Sequence, residues 1–283
     1  IVFGLVGSEM CIRDRFFTGI ILLLVRYSDG SSFRSRRLYA LCSLPFLVAG
    51  CILIQYSSQL VSVMAVYLSF LGAVLVWGWL EYVFLIGVIT GPNTSNCPSN
   101  VTNAERFIRA WGTLAYHEIA LLIALGSIFY LCWSAENMFG LWTFVILYFA
   151  RICAKLNLFF GVPRINVEFV PATLSHLTSH FKISALNWFF PLSVTILTFA
   201  LGCWIERLLS VNSLNDIIGF TLLSSLTAMA LLEHWVMVLP IPDAKLWRWM
   251  LPQEKQKEDH FRRKDYHGLC LLYTSDAADE TTG

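Results

Sequence analysis

Apolar residues along this chain come in long blocks instead of alternating with polar ones. Seven blocks stand out: 16–25, 38–56, 60–89, 111–133, 138–160, 188–209 and 217–239. All but the first are long enough to cross a bilayer, because roughly 20 helical residues cover its ~30 Å hydrocarbon layer. The pattern predicts an all-α fold, a polytopic transmembrane helical bundle of about seven spans with the first one truncated. Polar connections separate the blocks. The first carries Arg26, Arg34, Arg36 and Arg37, and the second is the uncharged Ser57-Ser58-Gln59. Thr90-Gly91-Pro92-Asn93-Thr94 breaks the third block and leads into a polar loop with Arg106 and Arg109. A short turn, Ser134-Ala135-Glu136-Asn137, joins the fourth and fifth blocks, and the longest connection, 161–187, holds Gly161-Val162-Pro163 and Val170-Pro171.

Sorting the cations by connection orients the bundle. The first, third and fifth connections and the tail hold nearly all of the Lys and Arg, whereas the second and fourth have none; Arg207 is the exception to the alternation. By the positive-inside rule the basic connections and the C-terminus are expected to be cytoplasmic and the N-terminus on the outer side. Trp133, Trp142, Trp188, Trp247 and Trp249 lie near block ends, where indoles favour the headgroup level. Composition agrees, with 57% hydrophobic and only 14% charged residues, far from a soluble domain. A net charge of +1 gives no basic face for nucleic acid. The eight cysteines form no C-x-x-C pair, and Cys42, Cys51, Cys132, Cys153 and Cys203 lie inside apolar blocks as small hydrophobes.

Both ends read as foreign to the fold. Met10-Cys11-Ile12-Arg13-Asp14 and the run from Cys270 to Glu280 back-translate to a sequencing adapter and its reverse complement. The expected division is therefore adapter-derived residues 1–15, a single transmembrane domain 16–252, a cytoplasmic tail 253–268 and adapter-derived residues 269–283.

Against this apolar background the intramembrane polar residues are conspicuous, since a charged side chain at the centre of a span costs about 2.5–3.5 kcal/mol on insertion scales. Placed by depth, they gather toward the cytoplasmic side. Glu81 lies about eight residues, or ~12 Å, from the inner end of the third block. His117 and Glu118 are about as far from the inner start of the fourth, and Arg151, Lys155 and Asn157 occupy the last turns of the fifth. Glu233 and His234 sit one to two turns from the inner end of the seventh, and Glu168 lies in the connection that can fold back over them. Three readings stay open. The network can be structural, with Arg151 and Lys155 pairing with the glutamates. It can hold a metal or tetrapyrrole, with Glu81, His117, Glu118, Glu168, Glu233 and His234 as candidate ligands, although no Glu-x-x-His spacing occurs. Or it can be a proton or substrate pathway, although no block is interrupted at mid-depth.

Two weaker signals remain. His176 and His180 have the i, i+4 spacing of one helix face, in an amphipathic segment 172–182 suited to the inner membrane surface, where unliganded histidines are common. Asn100-Val101-Thr102 matches an N-glycosylation acceptor, but its connection is expected to be cytoplasmic.

Several blocks together resemble a known family. They are Trp77-Gly78-Trp79-Leu80-Glu81 with Thr90-Gly91-Pro92; Tyr116-His117-Glu118; Ala154-Lys155-Leu156-Asn157-Leu158-Phe159-Phe160-Gly161-Val162-Pro163 with Asn166 and Glu168-Phe169; and Leu232-Glu233-His234-Trp235 with the run from Leu239 to Trp249. In this order, over residues 16–252, they are similar to the photosynthetic complex assembly protein 2 (PuhE) family of anoxygenic phototrophic bacteria. The resemblance implies a multi-pass protein of the bacterial inner membrane, acting in assembly of the photosynthetic reaction centre and light-harvesting complex or in bacteriochlorophyll supply to it. It implies partners among photosynthetic complex subunits and assembly factors besides the lipid bilayer, and no particular reaction. The rival reading is a membrane metalloenzyme of pigment biosynthesis using a carboxylate and histidine site with iron or another transition metal; a transporter is third.

Overall fold

The computed structural model describes residues 25, 32–98, 100–165 and 170–239. Among these the fold is all helical, with one isolated bridge between Val162 and Ile183. The helices are α1 (Phe33–Ser58), α2 (Val63–Leu85), α3 (Asn103–Gly112), α4 (Ala115–Leu131), α5 (Phe139–Phe160), the single turn α6 (Ser175–Thr178), α7 (Phe189–Ser210) and α8 (Leu214–Val236). Five of them, α1, α2, α5, α7 and α8, are long and apolar enough to cross a membrane, and α3 with α4 makes a sixth if the bent pair is one span. The block at 16–25 lies outside the described residues except for Val25, as do Trp247 and Trp249.

Local chemistry sets the helix starts. Ser32, Ser62, Thr102 and Ser213 stand at N-caps, each hydroxyl accepting from the backbone N–H three residues on. Asn187 does the same for α7, its Oδ1 accepting from the N–H groups of Phe189 and Phe190 at 2.9 and 2.8 Å. Two corrections follow for the polar connections. Arg34, Arg36 and Arg37 are not in a loop but in the first turn of α1, started early by Ser32. The loop expected around Arg106 and Arg109 is the amphipathic helix α3, capped by Thr102.

Helices α2 and α5 form the middle of the bundle: α1 and α4 pack on α2, α7 on α5, and α8 touches both. Val76, Leu80, Leu121, Leu141 and Phe144 from α2, α4 and α5 make one buried cluster; Phe70, Ile146, Leu222 and Leu223 from α2, α5 and α8 make another. The α1–α2 contact is the closest. A Cβ built on Gly50 would meet the Gly72 carbonyl oxygen at 2.8 Å, and one on Gly72 would meet that of Gly50 at 2.8 Å. Two backbones this near need glycine on both sides, the small-residue route by which helices associate in lipid. Large apolar side chains such as Leu41, Phe46 and Phe199 are exposed, as lipid-facing positions are.

Candidate functional site

The fourth apolar block breaks near its start, so that Trp111 and Gly112 end α3 and α4 carries the rest of the span. Between α3 and α4 the chain bends by 65° at Thr113–Leu114. The wedge is the loop after α2. The Thr90 carbonyl accepts from the His117 N–H (3.1 Å), Asn93 N–H donates to the Gly112 carbonyl (3.1 Å), and Asn93 Nδ2 donates to the Arg109 carbonyl (3.0 Å). Gly91 permits the approach, since a Cβ there would overlap the Gly112 carbonyl and the backbone of Thr113 and Leu114. The break places His117 and Glu118 in the first turn of α4, not deep in a continuous helix, and a carboxylate there complements the helix dipole.

Two bases on α5, one turn apart, then reach two different helices. Arg151 Nη2 donates to Glu81 Oε2 on α2 at 2.9 Å, and Lys155 Nζ donates to Glu118 Oε1 on α4. The i, i+4 spacing of Arg151 and Lys155 is what puts both on one face. Glu81 is 8% exposed and Glu118 9%, so each carboxylate is held by its partner in place of water. Between the pairs stands Phe84, stacked on the His117 ring at 4.3 Å with Lys155 Nζ 5.7 Å from its centroid. His117 is wholly buried, and its Nε2 lies 3.7 Å from Glu81 Oε1, too far for a hydrogen bond. Glu81 Oε1 and both ring nitrogens of His117 are buried without hydrogen-bond partners. One cluster thus contains Glu81, His117, Glu118, Arg151 and Lys155.

The other candidates stand elsewhere. Asn157, wholly buried in the last turn of α5, donates through Nδ2 to Ser193 Oγ on α7 (2.9 Å) and accepts from Asn187 Nδ2 (3.1 Å), which also donates to the Gly161 carbonyl (2.7 Å). This amide and hydroxyl latch joins α5 to α7. Sequence reasoning missed Asn187 and Ser193, although an asparagine directly before an apolar run is a helix-start signal. Phe84 was missed too, being one aromatic among many in an apolar block. His234, 1% exposed on α8, has Nδ1 2.8 Å from the Ala230 carbonyl oxygen, while Glu233 beside it is exposed. Glu168 lies outside the described residues.

Arginines also brace this end. Arg36 Nη1 donates to the Ile86 carbonyl past the end of α2 (3.1 Å), and Arg106 donates to the Phe159 carbonyl with its guanidinium 4.2 Å from the Phe159 ring centroid. Both cations meet helix C-terminal carbonyls, the negative end of the dipole. The segment 172–182 is made of short turns that bury Leu174 and Leu177 against Phe84, with Ser175, Ser179 and Lys182 exposed and His180 only 3% exposed. Burial pushes the imidazoles of His176 and His180 below their ordinary range; His180 adds to the effect at His176, while at His180 the His176 carbonyl opposes it and the charges of Arg106 and Arg109 reinforce it.

Five of the six residues expected as metal ligands lie among the described ones, and Glu168 does not. Among the described residues no three His, Cys, Asp or Glu side chains gather closely enough to hold an ion, and Glu81 and Glu118 are engaged by cations. Glu81, His117, Glu118, Glu233 and His234 are therefore not brought to one centre.

The family model described as a protein of unknown function, DUF3623, matches residues 14–258. The chain belongs to that family. Similar to it is a Rhodobacter capsulatus protein described as an uncharacterized 30.4 kDa protein in the puhA 5′ region, 52% identical over 237 residues, which are 84% of this chain and 86% of the relative. No solved structure matches the chain.

Proposed function

We propose that this protein is an inner-membrane assembly factor for the photosynthetic reaction centre and light-harvesting complex, handling bacteriochlorophyll or a precursor. The observation that carries this reading is the 52% identical relative, which is described by its place in the puhA 5′ region. The resemblance of its motif blocks to the PuhE family points the same way. Cation placement supports a cytoplasmic C-terminus, which puts Glu81, His117, Glu118, Arg151, Lys155, Asn157, Glu233 and His234 toward the inner leaflet.

In this reading the two ion pairs fix α2 and α4 against α5. The exposed apolar faces of α1 and α7 are then free to meet partner helices or pigment within the bilayer. The rival metalloenzyme needs a group of ligands that the described residues do not bring together. The test is affinity purification of the tagged protein from phototrophically grown cells, with mass spectrometry and an absorption spectrum. Reaction-centre or antenna subunits, or a tetrapyrrole, are expected to come with it; purification with neither contradicts the proposal.

A further inference from the structure

Helix α3 turns its apolar side away from the protein. Ala104, Phe107, Ile108 and Trp111 fall at i, i+3, i+4 and i+7, the spacing that gathers four apolar side chains on one helix face. On a globular surface that face is turned onto the core. Here all four residues are exposed, Ile108 by 68% and Trp111 by 49%, and no residue of α3 is buried. The polar side does the anchoring, with Arg106 donating to the Phe159 carbonyl at the end of α5 and Arg109 paired with Glu105 at 2.8 Å. A helix of ten residues is marginal in water by itself, so its bare apolar stripe needs cover.

Position decides what covers it. The 65° bend to α4 lays α3 much nearer the membrane plane than the normal when α4 stands upright. Beyond the bend α4 exposes Tyr116, Ile119 and Ile123, whose surroundings in a bilayer are acyl chains. Two other stretches at this end of the bundle repeat the pattern. Ile183 and Trp188, 77% and 70% exposed, follow the exposed Lys182, whose N–H donates to the Leu158 carbonyl near the end of α5 (3.1 Å). Phe33, 47% exposed, has the Arg37 guanidinium 4.4 Å from its ring centroid, on the turn that Arg36 ties to the Ile86 carbonyl. Over the stretches 33–37, 103–112 and 182–188, the cations Arg34, Arg36, Arg37, Arg106, Arg109 and Lys182 stand against one acid, Glu105.

Exposed aromatic and aliphatic side chains interleaved with cations are the chemistry of a surface at headgroup level, where apolar groups enter the acyl boundary and cations meet phosphate. We propose that α3 is an in-plane helix that seats Phe107, Ile108 and Trp111 in an anionic phospholipid leaflet, with Arg109, Lys182 and Arg37 at the headgroup phosphates. A lipid surface fits better than an acidic protein segment because the cations are spread over three stretches, each beside an exposed apolar side chain. The assignment needs only that α4 crosses a bilayer, and it is independent of the photosynthetic role.

The full chain is placed in nanodiscs of phosphatidylcholine alone and of phosphatidylcholine with phosphatidylglycerol, and amide hydrogen exchange is followed by mass spectrometry. The α3 amides are expected to exchange on the order of 5-fold more slowly in the anionic discs, with the difference erased at high salt and α2 and α5 unchanged. Ile108→Asp is expected to remove the α3 protection in both discs, while unaltered exchange in α2 and α5 shows that the variant has folded. Arg109→Gln combined with Lys182→Gln keeps the protection of the neutral disc and loses the anionic increment. Equal exchange of α3 in the two discs, or protection that survives Ile108→Asp, overturns the proposal. So does an α3 left unprotected in both discs and protected only on adding a photosynthetic-complex subunit, which makes the stripe a protein interface.

Discussion

The two ends of the bundle are joined by different chemistry. At one end Ser57, Ser58, Ser69 and Asn137 tie α1, α2 and α5 together with neutral hydrogen bonds. Asn137 N–H donates to the Ser58 carbonyl (3.0 Å), Asn137 Nδ2 to the Ser57 carbonyl (3.2 Å) and Gly140 N–H to Ser69 Oγ (2.7 Å). The hydroxyls of Ser57 and Ser58 are spent on their own helix. At the other end Arg151 and Lys155 tie α2 and α4 to α5 with ion pairs, beside a broken span, and leave Glu81 Oε1 and the His117 ring buried without partners. The first end is held by neutral hydrogen bonds, although Trp204 Nε1, beside Trp142 there, is buried without a hydrogen-bond partner. The second carries buried polar atoms that stability alone does not require, and an unmet acceptor costs about 1–3 kcal/mol. The difference is one of charge: neutral bonds to backbone and hydroxyl groups hold one end, and buried ion pairs hold the other.

The contrast can be broken from either side. The largest effect is expected from Lys155→Met, which strands the Glu118 carboxylate and should destabilise the protein by about 3–5 kcal/mol, seen as a large drop in its unfolding midpoint in detergent. Gly91→Ala comes next. Its Cβ must displace the Gly112–Leu114 backbone, and a cost of about 1–3 kcal/mol is expected, with faster hydrogen exchange at the His117 amide. Asn137→Ala tests the neutral end and should lose about 1–2 kcal/mol without altering any pigment or partner that co-purifies. Arg109→Ala removes a half-exposed i, i+4 pair with Glu105 and should change stability by less than about 0.5 kcal/mol.

Much of the fold was legible because bilayer length and helix rise leave few choices. The blocks 138–160 and 188–209 lie within a residue of α5 (Phe139–Phe160) and α7 (Phe189–Ser210). Helix ends decided by side chains were harder. Ser32 extends α1 through three arginines that a hydropathy reading assigns to a loop, and the break before Ala115 is imposed by Thr90 and Gly91 from another part of the chain. No local signal at Thr113 or Leu114 announces it.

The site divides the same way. Depth alone brought Glu81, His117, Glu118, Arg151 and Lys155 to one level, but depth gives no azimuth. His234 shares the level, yet its Nδ1 turns back onto the Ala230 carbonyl of its own helix, and Asn157 instead faces Ser193 and Asn187 across α5 and α7. Which cation meets which carboxylate was likewise undetermined until the packing of α2, α4 and α5 set the partners.

Lys155 and Glu118, far apart in sequence, neutralise each other inside the bundle. A charge-swap cycle tests it most directly, measuring the unfolding midpoint of Glu118→Lys, Lys155→Glu and the double variant. Each single variant places two like charges together and should lose most of its stability, while the double should recover the greater part. Losses that simply add in the double variant would contradict the pairing and the site built on it.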